Sequence, residues 1–148
     1  MAGRLQYDFE QSLGYWVCST AHAMEHAFNE ELQPYGITYR QAQVIGCLVK
    51  DPEITQAAMA RRLNVEPPTL AGVLHRMERD GWVRRVRCES DARCNRIELL
   101  PTVRPVWNRI AACARRVRKR ALRGVAPQDF ETVRGVLKAV LVNLEETE

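Results

Sequence analysis

The side chains with the most chemical potential gather in the middle of the chain. Arg84, Arg85, Arg87, Arg93 and Arg96 crowd one short stretch, with only Glu89, Asp91 and Glu98 to offset them. A guanidinium presents a rigid planar fork of N–H donors that matches phosphate, so such a cluster suits a polyanion. Upstream, Thr55 and Gln56 head one short helix, and Pro67, Pro68 and Thr69 head a second that carries His75 and Arg76. Backbone amides at a helix start can bind phosphate, and Thr55 serves equally as a plain N-cap; the two roles are compatible. His75 reads either as a contact to such a polyanion or as a solvent-facing or intramolecular histidine. Catalysis lacks its parts: no nucleophile–base arrangement, metal cluster or phosphate-loop motif is present, so neither an enzyme nor a cofactor or metal site is expected. The five cysteines, Cys18, Cys47, Cys88, Cys94 and Cys113, form no CxxC pair, which argues against a zinc site and a disulfide framework.

The elements that must position these residues follow from periodicity. Residues 8–33 read as a long helix with Leu13, Trp16, Val17, Ala21, Met24, Ala27 and Phe28 at helical spacing, stopped by Pro34-Tyr35-Gly36. Thr38 caps a helix that runs to Lys50, and Asp51-Pro52 breaks it. Gln56 to Leu63 is a short helix, Asn64-Val65 a tight turn, and Glu66-Pro67-Pro68 opens the next helix, where proline suits the first turn. Leu70, Val73, Leu74 and Met77 turn one face of that helix to the core, and Asp80-Gly81 ends it. Residues 82–88 and 96–100 have strand character around a polar, turn-like Glu89–Asn95, which makes a hairpin with a charged tip. Helices from about 102 to 123 and from Pro127 onward complete the chain. The fold class is mainly α with a small β-hairpin: a winged helix-turn-helix with further helices at both ends. A helix about 10–12 Å wide fits a major groove about 12 Å wide, and an arginine-tipped hairpin reaches the adjacent minor groove. Double-stranded DNA is the expected partner.

These motifs, taken in order, resemble the MarR family (multiple antibiotic resistance regulators). The resemblance rests on Thr55 through Leu63, Glu66 through Leu70, Met77 through Val83, and Asp91-Ala92-Arg93 followed by Ile97-Glu98-Leu99. Leu13-Gly14-Tyr15 and Pro34 through Thr38 with Gln41 extend it towards the start. Glu66 to Leu70 and the Glu-Ser-Asp approach to the wing are most similar to the SlyA branch. The resemblance implies a single domain over 1–148, with a DNA-binding lobe at about 38–100 and dimerisation helices at about 8–33 and 102–146. It further implies a homodimeric transcriptional repressor on a pseudo-palindromic site, responding to a small aromatic or anionic effector. Arg93 matches the wing-tip arginine that enters the minor groove, and Asp91 the acid that shapes the wing. Trp16, His22, Tyr39 and Trp107 are candidates for the effector pocket, though core or dimer packing is the readier account of each one alone. Gly72 stands where the SlyA branch carries an arginine on the recognition helix.

Charge is unevenly spread: residues 1–33 carry one basic residue against five acids, whereas residues 101–123 carry eight basic residues and no acid. Salt bridging between the basic run Arg115–Arg120 and the acidic first helix is therefore expected, ahead of a second DNA surface. No signal peptide or membrane span is read from the sequence, and a reducing, cytoplasmic setting is the expectation. Two other readings stay open. Cys88 and Cys94 flank the wing tip and offer a thiol-based redox switch, and Gly72 admits a protein-interaction module that kept the fold without reading specific DNA.

Overall fold

The first helix starts at Leu13, where its apolar periodicity begins, rather than at the expected residue 8. The computed structural model describes residues 7–88 and 91–145, with the side chains of all of these except 88 and 91–95. Asp8 accepts a hydrogen bond from the Gln11 amide and closes a 3-10 turn, Phe9–Gln11. Ser12, extended at φ −85° and ψ 110°, then caps α1 (Leu13–Leu32) by accepting from the Tyr15 amide at 3.2 Å. After a 3-10 turn ending at Gly36 (φ 66°), Thr38 and Gln41 form a reciprocal capping box that opens α2 (Tyr39–Lys50).

Next come α3 (Gln56–Arg62) and α4 (Pro67–Arg79), joined through Asn64, which adopts a left-handed φ of 48°. Asparagine tolerates that conformation, and it gives the tight turn expected there. Strands β1 (Val83–Cys88) and β2 (Asp91–Leu99) pair antiparallel from Val83 opposite Leu99 to Arg87 opposite Asn95. The register then shifts, so that β2 begins at Asp91 and takes in most of the segment expected to be turn. A single bridge between Thr55 and Arg96 ties the base of the hairpin to the start of α3. A 3-10 turn, Pro101–Val103, leads into α5 (Arg104–Ala121), and α6 is Pro127–Glu145.

Two compact units are distinguished, Met1–Val117 and Arg118–Glu148. In the first, Leu32, Ile45, Leu48, Leu70, Leu74 and Ile97 are among the fully buried side chains, each contributing about 1.5–3 kcal/mol by burial. The four residues assigned to the inner face of α4, Leu70, Val73, Leu74 and Met77, are all buried. In α1 the outcome differs: only Ala27 and Leu32 are buried, while Leu13, Trp16, Val17 and Met24 stay exposed. In the second unit no residue of α6 is buried. No described helix is long and apolar enough to cross a membrane.

Candidate nucleic-acid interface

The solvent face of α4 is set by its buried one. With Leu70, Val73, Leu74 and Met77 inward, Thr69, Gly72, His75 and Arg76 are left exposed at helical spacing. Pro67 and Pro68 occupy the first turn and are also exposed, and Glu66 provides no side-chain cap. Proline has no N–H and the Leu70 amide bonds the Glu66 carbonyl, so within that first turn the Thr69 amide is the donor left for an outside acceptor. Nothing lies within 4 Å of where a Cβ on Gly72 would sit. Gly72→Ala is therefore expected to raise stability by about 1 kcal/mol, a few degrees in Tm, read by thermal denaturation.

At the start of α3, Thr55 Oγ1 accepts from the Ala58 amide at 3.2 Å, so the capping role is realised, and Gln56 beside it is half-buried. Sequence reasoning passed over Arg61. It lies one turn beyond Ala57, off the face buried through Met59 and Ala60, and is exposed with no ion pair among the described residues. That i, i+4 placement was readable from the sequence, but a helix of this length shows too few turns to fix its face.

In the wing, most of the described arginines already have acids. Arg84 donates through Nε and Nη2 to Glu98 Oε2 at 2.9 and 2.7 Å. Arg85 Nε lies 3.3 Å from Glu78 on α4, and Arg96 pairs with Glu53 while approaching Glu98 at 4.0 Å. Arg87 is exposed and has no ion pair among the described residues. The side chains of Asp91 and Arg93, and those of Cys88 and Cys94, lie outside the described residues. The backbone register does place Cys88 opposite Asp91 rather than opposite Cys94.

The four effector-pocket candidates have different surroundings within one chain. Trp107 lines a depression of about 470 Å³ with Val49, Leu99, Val103 and Arg104, and none of the other three candidates borders it. Trp16 donates from Nε1 to the Glu10 carbonyl at 2.9 Å and stands edge-on to Tyr15. His22 is exposed on α1, and Tyr39 stacks edge-on to Phe28 at 5.7 Å.

The expected pairing of the basic α5 with the acidic α1 occurs within the single chain, through Arg116 and Glu31. Arg116 Nε donates to Glu31 Oε2 at 2.6 Å and Nη2 donates to Cys113 Sγ at 3.2 Å, while that thiol donates to the Glu31 carbonyl at 3.3 Å. Burial, against the opposing pull of Arg116, pushes the Cys113 thiol above its ordinary pKa and disfavours the reactive thiolate. The Arg116 guanidinium is held above its ordinary value chiefly by its hydrogen bond to Glu31.

Residues 37–95, which span α2 to the wing, match the MarR family profile. The transcriptional regulator PA3341 is 29% identical, with 91% of this chain and 99% of that one covered at a TM-score of 0.83. A MarR-family transcriptional regulator from Silicibacter pomeroyi is 22% identical, with 92% of both chains covered and a TM-score of 0.81. MepR from S. aureus, solved as a DNA complex, is 19% identical over 89% of this chain and 98% of that one, with a TM-score of 0.75. The helix-turn-helix and wing of this chain therefore match the MarR family of transcriptional regulators, and the chain that carries them has the fold of these solved regulators.

Proposed function

We propose that this protein is a DNA-binding transcriptional regulator that acts as a homodimer, most simply as a repressor released by a small aromatic or anionic effector. The observation that carries the reading is α4: one face wholly buried, the opposite face polar and exposed, directly followed by an arginine-rich hairpin. Arg61, His75, Arg76 and Arg87 are the described side chains best placed by exposure to meet DNA. Thr69, Pro67 and Pro68 supply the helix start, and Arg93 at the wing is assigned to the minor groove on its match to the family motif. MepR, with the same fold, was solved on DNA.

The dimer is proposed from exposed apolar surface. Leu13, Trp16, Val17 and Met24 on α1 leave large side chains in water, as do Val133, Val136, Leu141 and Leu144 on α6. Patches of that kind mark protein interfaces. Residues of about 8–33 and 102–146 are accordingly assigned to dimerisation and about 38–100 to DNA binding. Trp107 is the described effector candidate that borders a sizeable depression. The nearness to the SlyA branch rests on Glu66–Leu70 and the wing approach alone.

The test is duplex binding across a salt series, comparing a duplex enriched from a random pool with a scrambled one. Affinity is expected to fall steeply with salt, with log K dropping about 0.9 per log salt for each phosphate neutralised. The enriched duplex should bind at least about 10³-fold more tightly than the scrambled one, and Arg93→Ala should weaken the enriched complex strongly. Equal affinity for both duplexes would favour a protein-interaction module, for which the bare Gly72 on the reading face is the motive.

A further inference from the structure

The acids of the wing base are arranged as a clamp. Arg84 and Glu98 are direct cross-strand partners, and Arg96, two residues before Glu98 on β2, projects from the same face. Together with Glu53 they form a chain of alternating charge: Arg84 to Glu98, Glu98 to Arg96, and Arg96 to Glu53. Glu53 belongs to neither strand. It sits in the loop between α2 and α3, two residues before Thr55, the residue that bridges the Arg96 backbone. Main chain and side chain of Arg96 therefore fasten the hairpin to the loop that introduces the helix-turn-helix. Arg85, next to Arg84 along β1, reaches Glu78 on α4. The hairpin is thus held on one side to the loop before α3 and on the other to the last turn of α4.

We propose that Arg96 is a positioning residue, and that Glu53, although it bears the wrong charge for DNA, is needed for tight specific binding because it holds Arg96 and so sets the angle of the wing against α4. The inference rests on the DNA-binding reading above. Its physical basis is competition. A guanidinium engaged by two carboxylates must lose them before it can serve a phosphate, whereas Arg87 has no such partner among the described residues. The Glu53 side chain is 69% exposed and that of Arg96 34%, so the pair shifts a local orientation rather than holding the fold together.

Simple electrostatics and the clamp predict opposite signs for one substitution. Removing a carboxylate near a polyanion should tighten binding. With the clamp, Glu53→Gln should weaken binding of the enriched duplex about two- to fivefold, the scale of a partly exposed ion pair. Binding of the scrambled duplex should stay the same or tighten, so the specificity ratio falls. Arg96→Glu alone should lose more, and the exchange Glu53→Arg with Arg96→Glu should recover most of the ratio by restoring the pair in reverse. Arg96 as a direct phosphate contact predicts no such recovery, because the exchanged chain has an acid at 96. Titrations at low and moderate salt, with Tm recorded for each variant, decide the matter. Glu53→Gln binding the enriched duplex as tightly as wild type or more so, or failure of the exchange to restore the ratio with Tm intact, overturns the proposal. A wild-type protein that shows no preference between the duplexes would instead remove the DNA reading beneath it, and the two failures are told apart by that control.

Discussion

Leu141→Glu is expected to convert the proposed dimer to monomer, raising its dissociation constant by at least about 100-fold. Leu141 is 60% exposed within one chain, so the substitution costs the lone protomer little. Yet α6 holds Phe130, Val133, Val136, Leu137, Leu141 and Leu144 and buries none of them, a state that a helix of this length does not sustain alone in water. If a second copy covers the helix, each leucine buried there contributes about 1.5–3 kcal/mol, and a two-fold interface counts it twice. About 3 kcal/mol already exceeds two decades of affinity, and two buried carboxylates add their desolvation. Sedimentation velocity reads the change in assembly. Duplex affinity should fall with it, because two linked recognition helices bind one site as a unit and two separate ones do not. An unchanged oligomeric state would take α6 out of the interface.

The parts of the fold that were legible in the sequence are those where a single periodicity decides. In α4, four apolar residues at i, i+3, i+4 and i+7 have no competing arrangement, and all four are buried. In α1 the same signal was present, but Leu13, Trp16, Val17 and Met24 are left uncovered within one chain. Periodicity reports that a face wants covering without saying which chain covers it. The true start of α1 depends on which of two capping side chains, Asp8 or Ser12, ends the preceding turn, a contest that apolar spacing does not record. The wing was harder still. Composition marked its arginines as phosphate ligands, but the structure gives Arg84, Arg85 and Arg96 acids of their own. Glu98 could be found from strand register, whereas Glu53 is 43 residues from Arg96 and meets it only through the Thr55 bridge. The effector candidates show the same limit. Trp16, His22, Tyr39 and Trp107 were selected by residue type, and type carries no information on how these side chains are placed relative to one another.

Leu74→Ala is expected to lower stability by about 2–5 kcal/mol while leaving the residues proposed to face DNA untouched. Leu74 is fully buried and belongs to the core shared by α2, α4, the wing base and α5. Its truncation removes transfer energy and leaves a cavity, because other members of that core such as Leu48, Leu70 and Ile97 are themselves fully or almost fully enclosed. A total stability of about 5–15 kcal/mol makes that loss a large share. Urea unfolding should show an earlier midpoint with an unchanged slope, the mark of lost stability rather than an altered unfolded state. Leu74→Met, which keeps the volume, should cost under about 1.5 kcal/mol. The functional consequence follows from geometry: Leu74 braces the helix whose other face carries Thr69, His75 and Arg76. Well below the transition the variant should still bind DNA, and the range of temperature over which it does so should shrink. Binding lost at low temperature with the far-UV spectrum intact would mean that the packing of α4 sets the pose of the reading face itself, beyond holding the helix in place.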